Sequence, residues 1–208
     1  MPEAYNCGST GGSRKGLKSI MHRKFIDAME ECPIIAAVKD MDGLSRCLES
    51  DSNIIFVLFG DICTISQIVK TIKSTGRIVI VHIDLINGLS SKEVSVDFIK
   101  NNTEADGIIS TKVGLIKRAK ELGLYTILRF FIIDSMAFEN IRKQSEAVKP
   151  DYIEILPGVM PKVISNIKKI SSVPIIAGGL ISDKDDVMAA LSGGAVSIST
   201  TNREVWFM

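Results

Sequence analysis

The sequence predicts a small (β/α)8 (TIM) barrel, and three observations support this fold class. Eight short runs rich in β-branched residues recur at intervals of roughly 18 to 29 residues. These runs are continuously apolar, which is typical of parallel strands covered on both faces. The segments between them carry apolar residues at helical spacing, with helix-capping residues at their ends. A doubly wound open sheet is the alternative. With 208 residues, the barrel would be small for a fold that usually has about 250.

The eight runs define the predicted strands. In order along the chain, these are Ile34–Val38, Ile54–Leu58, Ile78–Ile83, Gly107–Ser110, Tyr125–Phe131, Tyr152–Leu156, Pro174–Ala177 and Ala195–Ser199.

Helix start signals follow several of these strands. Thr111 is placed to cap the helix after the fourth strand, and Asp134 or Ser135 to start the helix after the fifth. Pro161 suits the first turn of the helix after the sixth strand. Residues 182–185 (Ser-Asp-Lys-Asp) resemble a capping box before the last helix. We therefore expect one barrel domain over residues 21–208.

The first 20 residues differ from the rest in composition. They are rich in Gly, Ser and Lys and show no helical or strand period, so we expect a flexible basic leader outside the fold. Residues 1–24 hold five Lys or Arg and one Glu, which leaves a net charge of −3 for the remainder. The folded body is therefore not an obvious binder of polyanions.

Composition limits the compartment and the partners. No apolar run reaches the roughly 18 residues that a membrane helix needs, so we predict no membrane partner. The four cysteines are widely spaced, with no Cys-x-x-Cys pair and few histidines. This usage predicts reduced, buried thiols in a cytoplasmic protein.

Polar residues lie where the predicted strands end, which is where functional side chains of this fold lie. These residues are Lys39, Asp61, His82, Asp84, Lys112, Arg129 and Glu154. The cations suit an anionic ligand. His82 and Asp84 could orient an imidazole for acid–base chemistry, hold a metal, or form an interior hydrogen bond. Glu154 could accept from a ligand hydroxyl or neutralise a cation. Mutual pairing at the barrel mouth is the alternative for each position.

The last two strands end in residues suited to a phosphate group. Gly178 and Gly179 allow close backbone approach to an anion, and Ser199, Thr200 and Thr201 add hydroxyl donors. In TIM barrels the loops after strands seven and eight frequently bind phosphate. A phosphorylated small molecule is therefore the ligand class that these residues favour.

Five segments resemble the bacterial glycerol-uptake operon antiterminator family, in order and over roughly residues 31 to 206. They are Val81–Gly88, Gly107–Lys112, Pro150–Gly158, Ala177–Ile181 and Gly194–Asn202, followed by Trp206. The resemblance implies a small (β/α)8 barrel that senses glycerol 3-phosphate and binds leader mRNA of a glycerol-utilisation operon to prevent premature transcription termination. Lys39 and Lys112 stand where we expect arginine in the family.

The resemblance also implies a set of binding residues, and it adds support for most of the strand-end candidates. The resulting ligand-binding set is Lys39, His82, Asp84, Ser110, Thr111, Lys112, Arg129 and Glu154, and the phosphate-binding set is Gly178, Gly179, Ser199, Thr200 and Thr201. We expect glycerol 3-phosphate as effector, with no catalytic residues, cofactor or required metal. The expected partners are leader mRNA and a small phosphorylated polyol, without DNA. Homo-oligomerisation is left open.

Two other functions remain as alternatives at this point. The first is a phosphosugar isomerase, lyase or aldolase, with His82 or Glu154 as base and Lys39 as electrophile. The second is a sensor that reports to a protein rather than to RNA.

Overall fold

The computed structural model describes residues 14–208, with side chains from Arg23 onward, and the strands form a closed barrel. All eight strands are parallel and pair in chain order, and β1 pairs with β8 to close the sheet. This closure confirms the (β/α)8 prediction and excludes the open doubly wound sheet. The strands are β1 (Ile34–Val38), β2 (Ile54–Val57), β3 (Ile78–His82), β4 (Gly107–Ser110), β5 (Tyr125–Phe131), β6 (Tyr152–Leu156), β7 (Ile175–Gly178) and β8 (Ser197–Thr200).

Helices separate the strands along the chain, and one helix precedes β1. They are α1 (Arg14–Glu31), α2 (Met41–Cys47), α3 (Ile65–Lys73), α4 (Val94–Asn102), α5 (Val113–Glu121), α6 (Ser135–Val148), α7 (Pro161–Ile170) and α8 (Lys184–Ser192). No helix within the described residues is long and apolar enough to cross a membrane.

The helix start signals were partly correct. Asp134 caps α6 by accepting from the N–H of Ala137 at 3.1 Å, and Pro161 is the first residue of α7. The cap of α8 is Asp183 rather than Ser182, because its carboxylate accepts from the N–H of Asp186 at 2.9 Å. Thr111 does not cap α5, which starts after Lys112 and has no side-chain cap.

Buried residues form two layers, one on each side of the barrel wall. Along β1, Ile35 and Ala37 belong to the layer inside the barrel, whereas Ile34, Ala36 and Val38 pack in the layer that includes the surrounding helices. Both faces of each strand are therefore buried, as the continuously apolar runs predicted. The polar exceptions inside the barrel lie at the strand ends and form the candidate site.

Helix α1 lies across the N-terminal end of the barrel. Phe25 is fully buried, and its ring centroid lies 4.6 Å from that of Tyr125 and 4.9 Å from that of Tyr152. Because these tyrosines begin β5 and β6, Phe25 closes the floor of the barrel interior.

The α1 helix begins inside the segment that lacked a helical period. Residues 14–20 belong to α1, so composition was a poor guide to their conformation. Residues 1–13 lie outside the described residues, and a leader separate from the fold stays a prediction. Among the cysteines, Cys47 is buried as expected and Cys32 is half-buried, but Cys63 is exposed, and Cys7 lies outside the described part.

Candidate functional site

A cleft of about 440 Å³ opens at the C-terminal end of the barrel, where parallel strands direct their last residues. It lies mainly between the ends of β5 and β6 and the loops that follow β7 and β8. Its lining residues are Ala37, Leu58, Arg129, Glu154, Leu156, Gly179, Leu180, Ile181, Ser182, Ser199, Thr200, Thr201 and Asn202. The cleft therefore includes six of the thirteen predicted binding residues.

An ion pair from neighbouring strands forms the charged part of the cleft. Arg129 and Glu154 are register partners on β5 and β6, and Arg129 Nε donates to Glu154 Oε2 at 2.5 Å. Ser199 Oγ donates to Glu154 Oε1 at 2.5 Å, and Glu154 is fully buried. The guanidinium Nη groups of Arg129 have no acceptor among the described residues, so they are available to an anion in the cleft.

Gly178 is required by the close packing beside this ion pair. A Cβ at this position would lie 2.6 Å from Ser199 Oγ and 2.7 Å from Glu154 Oε1. Both distances are too short for non-bonded atoms, so only glycine allows Ser199 and Glu154 to keep their hydrogen bond. Gly178 thus supports the site through packing rather than through a contact with the cleft.

The loop after β7 offers backbone donors in a constrained conformation. Gly179 and Leu180 both have positive φ angles, of 75° and 63°, and Leu180 is 74% exposed. A leucine in this region is uncommon and strained by about 1–3 kcal/mol. The N–H groups of Gly179, Leu180 and Thr201 have no acceptor among the described residues. Free N–H groups in a cleft are a suitable environment for phosphate oxygens.

The two threonines after β8 have different roles. Thr200 Oγ1 donates to the carbonyl of Ile181 at 2.8 Å and accepts from the N–H of Asn202 at 3.0 Å, so its hydroxyl fixes the loop. Thr201 is exposed in the cleft. Trp206 donates from its indole N–H to the Thr200 carbonyl at 2.8 Å, which anchors the strand end.

A second polar cluster uses most of the remaining predicted residues. Asp84 accepts hydrogen bonds from Ser110 Oγ at 3.0 and 3.1 Å, from the Thr111 N–H at 2.9 Å and from Lys112 Nζ at 3.1 Å. Lys112 Nζ also donates to Ser91 Oγ at 2.6 Å. Burial raises the pKa of Asp84, but these donors outweigh burial and leave the pKa below its ordinary value. The four predicted residues therefore bind one another, outside the cleft lining.

His82 lies buried at the end of β3, where burial and the positive charge of Arg129 lower the pKa of its imidazole. Its Nδ1 is buried without a hydrogen-bond partner, and the distance to Asp84 Oδ2 is 4.0 Å. Burial, followed by the positive charge of Arg129, lowers the pKa of His82 to about 4. The imidazole is thus neutral near pH 7, and it does not form the His–Asp hydrogen bond that was one alternative.

Lys39 and Asp61 lie apart from these groups. Lys39 is exposed and absent from the cleft lining. Asp61 accepts from the N–H groups of Cys63 and Thr64 at 2.8 and 2.9 Å, so it organises the turn before α3. Among the side chains described, no group of three His, Cys, Asp or Glu residues could hold a metal ion.

Several lining residues were missed by the sequence analysis. Asn202, whose amide donates to the Ser182 carbonyl at 2.8 Å, lies directly after the predicted Thr-Thr pair and could have been included on position alone. Leu156 and Leu180 carry no chemical signal in the sequence, since their place in the cleft follows from loop conformation.

Comparisons with known proteins cover most of the chain. The family described as glycerol-3-phosphate responsive antiterminator matches residues 34–206. YgcP of Escherichia coli (strain K12), described as uncharacterized, is 49% identical over 178 residues, which span 86% of this chain and 93% of that protein. The glycerol uptake operon antiterminator regulatory protein of Listeria monocytogenes strain 4b F2365 has a similar crystal structure. Its TM-score is 0.81 at 32% identity, over 84% of this chain and 95% of that one.

A second crystal structure shows the same similarity. It is that of a glycerol uptake operon antiterminator-related protein from Thermotoga maritima MSB8, with a TM-score of 0.74 at 35% identity. The match covers 83% of this chain and 96% of that one.

Proposed function

Because the chain belongs to the glycerol-3-phosphate responsive antiterminator family, we propose that it senses glycerol 3-phosphate in the C-terminal cleft and binds leader mRNA in response. The family and the structural neighbours support a glycerol uptake operon antiterminator regulator. They support a regulatory protein rather than the phosphosugar enzyme that the sequence left open. The specific effector and the RNA target are our proposal.

One observation carries the proposed effector site: Arg129 has free guanidinium donors in a cleft that also contains unpaired backbone N–H groups. A phosphate monoester needs several donors and a positive charge, which Arg supplies as a planar fork. The phosphate would lie against the N–H groups of Gly179, Leu180 and Thr201, with Arg129 beside it. The strained Leu180 fits this role because strain of this kind clusters at ligand-binding sites.

The buried carboxylate would recognise the glycerol hydroxyls. Each oxygen of Glu154 accepts one hydrogen bond within the protein, from Arg129 or Ser199. A carboxylate has about four acceptor positions, so Glu154 retains capacity for the hydroxyls of the effector. This acceptor would favour glycerol 3-phosphate over inorganic phosphate, which carries no glycerol hydroxyls to offer.

RNA binding must depend on the effector for the protein to act as a sensor. A ligand shifts a binding equilibrium only through its differential affinity for the two states, and the coupling is reciprocal. Glycerol 3-phosphate should therefore tighten RNA binding by the same factor by which RNA tightens effector binding. Since both partners would be met in the cytoplasm, we propose a cytoplasmic protein.

Two titrations test the proposal. The first measures thermal stability with glycerol 3-phosphate, glycerol and inorganic phosphate, and we expect about 2.7 kcal/mol of stabilisation at 100 times the dissociation constant of the effector. The second measures fluorescence anisotropy of a labelled leader transcript from a glycerol-utilisation operon, with and without effector. Unchanged stability with all three compounds would refute the effector site, and RNA binding indifferent to a bound effector would refute the regulatory coupling.

A further inference from the structure

A second cleft, of about 350 Å³, lies at the opposite end of the barrel, between the end of α6 and the loop joining α7 to β7. We call it the α6–β7 pocket. Its lining residues are Arg142, Ser145, Glu146, Lys149, Ile170, Ser171, Ser172 and Val173. Since helices of the barrel end where strands begin, this pocket is remote from the effector cleft, and the effector site does not use any of its residues.

Ser145 gives this pocket an unexplained polar group. The residue is 4% exposed, and its Oγ is buried without a hydrogen-bond partner. A serine within a helix can satisfy its hydroxyl by pointing to solvent or by donating to the carbonyl one turn earlier, and Ser145 does neither. A buried hydroxyl without a partner is unfavourable, so the lining of the pocket indicates a bound acceptor that is absent from the protein itself.

The charges around the pocket favour an anion. Arg142 and Lys149 are exposed and form no ion pair with described residues, and together they outnumber the exposed Glu146. The carbonyls at the end of a helix would ordinarily repel an anion. Here the amine of Lys120 donates to the carbonyl of Val148 at 3.1 Å and to that of Lys149, which offsets this repulsion.

The loop before β7 adds further donors. Ser171 Oγ accepts from the N–H of Val173 at 3.2 Å, so its own hydroxyl hydrogen is available. The N–H of Ser172 has no acceptor among the described residues, and its side chain is exposed. Three serines, one backbone N–H and two cations around a small pocket match the needs of a single phosphate group.

We propose that the α6–β7 pocket binds a backbone phosphate of RNA, an inference that rests on the proposed RNA-binding function. RNA is favoured over a small phosphate because the exposed Arg23 and Lys24 of α1 lie at the same end of the barrel, beside the starts of β2 and β3, so an RNA strand could extend across this end between the two places. Binding at this end also leaves the effector cleft open, so both ligands can occupy the protein together. In protein–DNA complexes, half to two-thirds of the hydrogen bonds go to phosphate oxygens and sugars, and such contacts position the protein without reading the sequence.

The test compares RNA affinity across salt concentrations for full-length variants. Arg142→Gln with Lys149→Asn removes both charges, and asparagine tolerates the left-handed conformation of Lys149 (φ 46°). Because the pocket no longer neutralises its RNA phosphate in this variant, the slope of log K against log salt should become shallower by about 0.7, the value per neutralised phosphate of single-stranded RNA. Lys70→Gln with Lys100→Gln is the charge-matched control. It also removes two exposed lysines, but these lie on α3 and α4, outside the α6–β7 pocket.

Ser145→Ala separates a ligand contact from a structural defect. If the hydroxyl binds RNA, the variant loses RNA affinity several-fold while its melting temperature does not fall, since no protein hydrogen bond is removed. A variant with normal RNA affinity would contradict the role of Ser145 as a donor.

Three other outcomes would overturn the proposal. Equal slopes for the wild type and the Arg142/Lys149 variant would refute the pocket while leaving the proposed function intact. A wild type that binds no leader RNA, with or without effector, would refute both. Stabilisation by inorganic phosphate that the variant loses, with RNA binding unchanged, would identify a site for a small phosphate instead.

Discussion

Replacing Gly178 with alanine should damage the effector site without touching the cleft. The added methyl group would lie 2.6 Å from Ser199 Oγ and 2.7 Å from Glu154 Oε1, so at least one of these atoms must move. Overpacking of a core costs about 1–3 kcal/mol, and loss of the Ser199 hydrogen bond to a carboxylate costs about 1.5–3 kcal/mol. Because partial relaxation reduces the sum, we expect Gly178→Ala to destabilise the protein by about 2–4 kcal/mol.

Urea unfolding measures this change, followed by titration of the folded variant with glycerol 3-phosphate. Effector affinity should also decrease, because a displaced Glu154 no longer holds the guanidinium of Arg129 in place. Gly114→Ala in α5 is the control, since a Cβ there meets no atom within 4 Å. Alanine in a helix should stabilise this control by about 0.5–1 kcal/mol. A Gly178→Ala protein within about 0.5 kcal/mol of wild type would refute the packing argument.

Three further predictions concern the ion pair, the buried histidine and the barrel floor. Arg129→Ala should cost about 3–5 kcal/mol by leaving the Glu154 carboxylate buried and unpaired, whereas Arg129→Lys should keep most of the stability measured in urea. Arg129→Lys should nevertheless lower affinity for glycerol 3-phosphate roughly tenfold or more, since hydrogen bonds to charged groups contribute about 1.5–3 kcal/mol; calorimetry showing wild-type affinity would contradict this. The pKa of His82 is about 4 in the folded protein against 6.5 ordinarily, so the unfolded chain binds the extra proton between these values. Stability should therefore decrease as pH falls from 6.5 towards 4, by up to about 1.4 kcal/mol per pH unit, and His82→Gln should flatten this dependence; parallel profiles would exclude the effect. Phe25→Ala should lower the free energy of unfolding, measured in urea, by about 3–5 kcal/mol. The control Ile133→Ala, at an exposed position, should lower it by less than about 0.5 kcal/mol. Equal effects would refute the role of Phe25 in closing the barrel interior.

The strands were predictable because burial on both faces leaves a signal in consecutive residues. Four predicted strands have the observed bounds, and the others differ by one or two residues at one or both ends. The two ends of each strand are harder to locate, because the first and last residues paired in the sheet depend on the neighbouring strands. Ala195 and Val196 continue the apolar run of β8 but precede the strand, although the N–H of Val196 already donates to the carbonyl of Ile175 in β7 at 2.8 Å.

The candidate site was predictable by position but not by contact. Arg129 and Glu154 share a register position on neighbouring strands, and the sequence placed both at the barrel mouth. The sequence could not indicate that Asp84 would accept hydrogen bonds from Ser110, Thr111 and Lys112, because those contacts depend on the path of the turn after β3.

The sequence by itself determined the fold class, the family and the end of the barrel at which the polar residues lie, because these follow from periodicity and from residue order. Only the tertiary structure decided which polar groups pair with each other and which remain free for a ligand. Pairing depends on small differences in distance between residues far apart in the chain. The free donors near Arg129 and the unpartnered hydroxyl of Ser145 are therefore visible only in the folded protein.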